Sequence, residues 1–255
     1  MELAEMQGDR EMKIRNRHTV GLTLAALLLA LLTGCLYPED QTPRNDATAR
    51  EAVLTVQDAV DRYREQTGVL PIENADETVP LYEKYKIDLG KLKRMGYIGH
   101  IPSAAFENGG KYQFLIVDEE TKPLVRLLDV AVFQAVDGVQ KKMDQYRSSR
   151  GNRLAAGDEM YPGFRAVDFG KLGMRDPEIR SMFSNQTLNW LVDEQGAVYA
   201  DYGIDIATAI AKTEAEPGAD EDLRRVLIEA SYFVPVRSPE YRRVGGEPQA
   251  VAPQD

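Results

Sequence analysis

"VQDAVDRYREQTG" (Val56–Gly68) returns 83 residues later as "VQKKMDQYRSSRG" (Val139–Gly151), with Val, Gln, Asp, Tyr, Arg and Gly in register. Three further blocks recur in the same order. "IDLGKL" from Ile87 matches "VDFGKL" from Val167, and "FLIVDEE" from Phe114 matches "NWLVDEQ" from Asn189. "LLDVA" from Leu127 matches "GIDIA" from Gly203. One short block is weak evidence; four in order mark an internal duplication, which governs how the rest is read. The second copy is shorter by several residues in its middle.

Each copy opens on a helical pattern. Val53, Val56, Val60 and Tyr63 fall at i, i+3, i+7 and i+10, an apolar stripe on one helix face. Their counterparts are Val136, Val139, Met143 and Tyr146. Thr48 with Glu51 three residues on has the form of a capping box. Gly68 and Gly151 stand where a helix ends in a left-handed residue, and Pro71 prevents continuation. Further on, "KYQFLIV" from Lys111 and "LVRLL" from Leu124 flank the turn "DEETKP". "LNWLV" from Leu188 and "VYADYG" from Val198 flank "DEQGA". Both read as β-hairpins. Each copy is expected to be a helix, an irregular link and a hairpin, the hairpin packed on its own helix because a lone one is marginal in water. "DEDLRRVLIEAS" from Asp220 reads as a closing helix. The fold class expected is α+β, as two tandem homologous modules.

Outward from the repeat, the N-terminal region has the order of a secretory signal. Lys13, Arg15 and Arg17 precede the apolar run Val20–Leu32, which ends in "LLTGC" with the single cysteine, Cys35. The run is short of the roughly 20 residues that span a membrane. "LTGC" resembles the lipobox of bacterial lipoproteins. That resemblance implies diacylglyceryl attachment at Cys35, cleavage between Gly34 and Cys35, and stable two-chain anchoring on the extracytoplasmic face of the membrane. One cysteine also excludes an internal disulfide and a thiolate cluster. Glu2, Glu5, Asp9 and Glu11 do not suit a signal, and Met12 opens a better one, so translation is expected to start at Met12.

The boundaries expected are a signal segment at 1–34, a lipidated cysteine and tether at 35–47, modules at 48–136 and 137–235, and a disordered tail at 236–255. The tether "LYPEDQTPRNDA" is polar with two prolines, and the tail holds three prolines and a Gly pair. Hydrophobic residues make up 43% and charged residues 28%, so a packed core is feasible. The net charge of -10 argues against nucleic acid and against charge-driven docking on anionic lipid.

The residues for chemistry are sparse. Only His18 and His100 occur, the first within the signal segment. No HExxH, GxSxG or phosphate-cradling loop is present; "ENGGK" at Glu107 precedes a strand and reads as a turn. Asp118, Glu119 and Glu120 with Asp193 and Glu194 recur because the turn recurs. Their plain reading is a solvated hairpin tip, with a weak calcium contact or a glycosidase-like pair as the sharper ones. Tyr82, Tyr85, Tyr97, Tyr161, Phe164 and Trp190 read as core, with an aromatic cleft as the alternative. No catalytic set, cofactor or metal is expected.

"LLTGC", "LYPEDQTPRND" and "AVLTVQDAVDRYREQTGVLPI" together resemble an uncharacterised lipoprotein family of endospore-forming Gram-positive bacteria. The resemblance covers the mature body and implies an envelope or sporulation setting, with no established activity. "AVDRYREQTGVLPI", "GYIGHIP" and "GGKYQFLI" also resemble a pseudopilin head in shape, although the pilin signal is different. The function expected is a non-enzymatic, lipid-anchored module binding an envelope protein or polymer. The alternative is a membrane-tethered, carboxylate-dependent hydrolase of a cell-wall substrate.

Overall fold

The structure, a computed structural model, describes residues 47–213, 216–218 and 220–252. The expected start at Met12, the signal segment and the Gly34–Cys35 site lie outside the described residues. Those described fall within one compact unit, Thr42–Asp255.

Helix α1 runs over Ala47–Thr67 and buries the predicted stripe of Val53, Val56, Val60 and Tyr63, extended by Ala49, Ala52 and Ala59. Thr48 stands inside its first turn, not ahead of it as the capping-box pattern predicts. Gly68 ends the helix at φ 73°, its N–H donating to the Arg64 carbonyl at 2.8 Å. Short helices α2 (Leu81–Lys84) and α3 (Leu89–Arg94) follow. Strands β1 (Tyr112–Val117) and β2 (Leu124–Asp129) then form the expected antiparallel hairpin. Helix α4 (Val130–Ser149) starts directly after β2, with the Asp129 carboxylate accepting from the Ala131 and Val132 N–H groups.

The second copy keeps the helix, link and hairpin, but its link carries two strands of its own. Strands β3 (Ala156–Tyr161) and β4 (Phe164–Val167) come first, then helix α5 (Phe169–Leu172), β5 (Asn189–Asp193) and β6 (Val198–Asp201). All four strands make one antiparallel sheet, β3-β4-β5-β6. Helix α6 (Gly203–Thr213) leaves β6 as α4 leaves β2. The capping aspartate at that junction is Asp201, which accepts from the Gly203 N–H at 2.9 Å. The block match that pairs Asp129 with Asp205 is therefore out of register. Asp205 sits within the first turn of α6.

One helical glutamine fastens each hairpin to its helix, and the bonds are the same in both copies. Gln57 Oε1 accepts from the Val125 N–H at 2.8 Å, while Nε2 donates to the Pro123 carbonyl and to Asp61. Gln140 Oε1 accepts from the Val198 N–H at 2.7 Å, while Nε2 donates to the Gly196 carbonyl and to Asp144. The matched Gln and Asp of the opening motif thus serve one purpose, pairing backbone groups at a hairpin edge that would otherwise lack partners.

Two expectations are corrected at the C-terminal end. The closing helix is only Arg224–Ala230 (α7), because the Asp222 carboxylate engages the Arg224 backbone and guanidinium before the helix begins. The segment expected to be disordered instead forms a hairpin, β7 (Glu240–Val244) and β8 (Glu247–Val251), within which Tyr241 is 0% exposed. Its apolar anchors outweigh the proline and glycine content that signals disorder. Ahead of it, residues 232–237 stitch the two sheets at their edges. Leu127 of β2 donates to the Tyr232 carbonyl and accepts from the Val234 N–H, and Ala200 of β6 donates to the Arg237 carbonyl. Phe233, Val234 and Val236 are buried along this seam.

Candidate functional site

The acidic hairpin tips do not come together as a carboxylate site. Asp118 is held by Arg225, whose two terminal nitrogens reach its two oxygens at 3.0 and 3.1 Å. Asp193 is buried within its own turn, accepting from the Ala197 N–H at 2.8 Å and the Tyr199 hydroxyl at 3.0 Å. Glu120 and Glu194 face solvent, and Glu119 accepts from Tyr85. His100 is exposed in a bend. "ENGGK" is a turn entering β1, where a side chain at Gly110 would meet the Ala104 carbonyl at 2.3 Å. Among the described residues, no group of three His, Cys, Asp or Glu residues stands close enough to share a metal ion. No described helix is long and apolar enough to cross a membrane.

The aromatics serve the interior. Trp190 and Phe164 are buried, the Trp190 indole N–H donating to Asp176 at 2.9 Å. Tyr97 stacks edge-on against Tyr63 and donates to Gln66. Tyr82 lies half-buried under the Arg224 guanidinium, and burial pushes its phenol up to about 12. Tyr161 joins Tyr241 in donating to the Asp201 carboxylate, which ties β3, β6 and β7 through one buried acid.

A cleft of about 440 Å³ opens where the first link meets α4 and the C-terminal seam, within the usual range for ligand sites. It is lined by the loop Glu73–Pro80, by Glu83, Lys84 and Lys86, and by Phe133 and Arg237. Arg237 is unusual in several ways at once. Its backbone is left-handed at φ 52°, a conformation a non-glycine residue adopts only when its surroundings enforce it. The enforcing bonds run both ways: its N–H donates to Glu83 Oε1 at 2.8 Å, and its carbonyl accepts from Ala200. Its guanidinium lies 4.3 Å from the Phe133 ring centre. Arg237 Nε is buried without a hydrogen-bond partner, since Glu83 Oε2 stands 3.7 Å away, beyond bonding distance.

Glu83 is the acid of this pair and is only 4% exposed. Burial raises its pKa, against the opposing charge and N–H of Arg237. The cleft therefore joins a buried acid to an arginine whose Nε lacks a hydrogen-bond partner, with Lys84 and Lys86 adding positive charge to its lining. Such a set suits a polar ligand carrying an acceptor, held by charge-assisted bonds. Sequence reasoning missed it because Glu83 and Arg237 lie 154 residues apart. The signal that was present is the apolar run Tyr232–Val236, which leads directly into Arg237.

Residues 49–129 match the YphF family N-terminal domain. That span runs from the first turns of α1 to the end of β2, so the YphF-like likeness covers the first helix, its link and its hairpin. It takes in Gln57, Val125 and the Glu73–Lys86 wall of the cleft, and stops short of Phe133 and Arg237. No curated protein and no solved structure matches the chain.

Proposed function

We propose that this chain is a non-enzymatic, lipid-anchored protein of the extracytoplasmic face of the cell membrane, binding an envelope protein or polymer in the Arg237 cleft. The anchor rests on Cys35 within "LLTGC", behind a basic and an apolar segment. The setting rests on the resemblance to lipoproteins of endospore-forming bacteria, which makes the envelope or sporulation the context of the role. The observation that carries the binding reading is the open cleft of about 440 Å³ lined by the Glu83–Arg237 pair together with Lys84 and Lys86. The hydrolase alternative is weakened by the carboxylates at the hairpin tips, since Asp118 and Asp193 are engaged in structural bonds.

The test is crosslinking in cells with a photoreactive residue in place of Lys86, followed by mass spectrometry. The expected result is one specific envelope partner, lost with Arg237→Met and lost from the membrane fraction with Cys35→Ala. Retention of Cys35→Ala at the membrane without lipid label sinks the anchor. Turnover of a cell-wall substrate, abolished by one Asp or Glu substitution, sinks the non-enzymatic reading.

A further inference from the structure

Three acids and three cations line the Arg237 cleft, and their commitments differ. Asp76 is turned into its own loop, where it accepts from the Thr78 N–H and hydroxyl, both at 3.1 Å. Glu83 is buried and accepts from the Arg237 N–H at 2.8 Å. Glu73 is exposed on the loop, which its backbone N–H fastens to the Lys86 carbonyl at 2.8 Å. The cations are less engaged. The Lys84 ammonium rests 5.7 Å from the Tyr85 ring centre. Among the described residues neither Lys84 nor Lys86 forms an ion pair or donates a side-chain hydrogen bond. Arg237 is sealed only at Nε. Its two terminal nitrogens keep contact with solvent and donate to no group among the described residues, and its side chain is 29% exposed.

The guanidinium is also held in place. Glu83 and Ala200 pin the Arg237 backbone, and the Phe133 ring centre lies 4.3 Å from the guanidinium carbon. A fork fixed in this way loses little freedom when it grips an oxyanion. A carboxylate has two oxygens, which one guanidinium fork fills. A phosphate ester has further oxygens and accepts point charges such as lysine ammoniums as well. The net charge of -10 sets a negative background, so an anionic ligand is favoured only where cations gather unpaired.

We infer that the Arg237 cleft binds a phosphate ester, the guanidinium fork gripping two oxygens while Lys84 and Lys86 offset the remaining charge. This rests on the cleft being a binding site and narrows its ligand to an anionic one.

The experiment is isothermal titration calorimetry of the full chain in detergent micelles at low salt. The probes are glycerol phosphate (a monoester), glycerophosphoglycerol (a diester) and glutarate (a dicarboxylate). Saturable binding of a phosphate ester is expected, at least fivefold tighter than glutarate. Preference for the diester places a polymer backbone in the cleft and preference for the monoester a terminal phosphate; both uphold the site. Arg237→Gly suits the left-handed backbone, keeps the N–H that Glu83 accepts, and should lower affinity at least tenfold. The double variant Lys84→Gln/Lys86→Gln, at half-buried positions, should lower affinity at least fivefold with an unchanged thermal melt. It tests the site even where Arg237→Gly fails to fold. No saturable binding, glutarate binding as tightly, or unchanged affinity in either folded variant overturns the phosphate assignment. A partner crosslinked at Lys86 without calorimetric binding of either ester overturns this inference and leaves the binding reading standing. Absence of both overturns the two together.

Discussion

The two links between helix and hairpin begin alike and then diverge. In the first module the Asp88 N–H donates to the Pro71 carbonyl at 2.8 Å; in the second the Asp168 N–H donates to the Ala155 carbonyl at 2.9 Å. Both aspartates then cap a short helix, accepting from the Lys91 and Lys171 N–H groups. Between these fixed points the second link forms continuous strands β3 and β4. The first has only isolated bridges, Ile72 to Ile87 and Lys86 to Leu115. The difference follows from Pro71, Pro80 and the polar loop between them, since proline cannot donate to a ladder. The strand order is preserved while its regularity is lost, and the loop that replaces the regular strand lines the Arg237 cleft. The glutamine lock stayed the same in both copies while the links drifted.

The largest change is expected from alkali. Tyr161, Tyr199, Tyr202 and Tyr241 all titrate above the ordinary value of 10.0, with burial as the leading cause and Asp201, Asp193 or Asp205 adding negative charge. All four lie in the second module and the terminal hairpin; Tyr82, at about 12, is the first module's counterpart. The unfolded chain releases these protons first. Stability is therefore full below pH 10 and falls as pH rises through the folded values. Ultraviolet titration should show these phenols ionising together with unfolding. Smooth ionisation of all tyrosines in a chain that keeps its circular dichroism would contradict the burial.

Next comes Tyr241→Ala. It empties a fully buried site and cuts the hydroxyl bonds to Asp201 and the Tyr202 N–H, for an expected loss of about 4 kcal/mol in urea denaturation. A loss below about 1 kcal/mol would return the hairpin to the status of a loose tail.

The glutamine lock supplies the sharpest test of equivalence. Gln57→Ala and Gln140→Ala each strand one strand N–H and one turn carbonyl, and each should cost about 2 kcal/mol. The two losses should agree within about 0.5 kcal/mol and add in the double variant. A gap above about 1 kcal/mol breaks the structural parallel.

The smallest effects come from the caps. Asp88→Ala should cost about 1 kcal/mol. The Asp168 carboxyl is held below its ordinary value by the Lys171 N–H and side chain, so its contribution is present above the unfolded value and lost as pH falls through the folded one. Asp168→Ala should flatten the acid limb of the stability curve, measured by melting between pH 5 and 2; an unchanged slope would remove the cap from the account.

How much was legible in advance varied with how local each feature is. The helix stripe at Val53–Tyr63, the hairpin strands and the αL glycines were readable because their cues lie within a few residues of one another. The β3–β4 hairpin was not, since "AGDEMY" has two acidic residues at its centre, is half exposed and lacks a buried alternation. The register of the last block was misread because "GIDIA" looks like "LLDVA", while geometry assigns the capping role to Asp201. The order of Arg237–Val251 was missed because composition there favours disorder, while the buried Pro239, Tyr241 and Ala250 show otherwise.

By itself the sequence determined the duplication, the helix faces and the turns, because periodicity, glycine and proline act through the local backbone. Tertiary structure decided what the matched glutamines hold, how residues 232–237 join two sheets, and where Glu83 meets Arg237. Each of those is a bond between distant segments, set by which buried polar groups remain unpaired once the chain has folded around them.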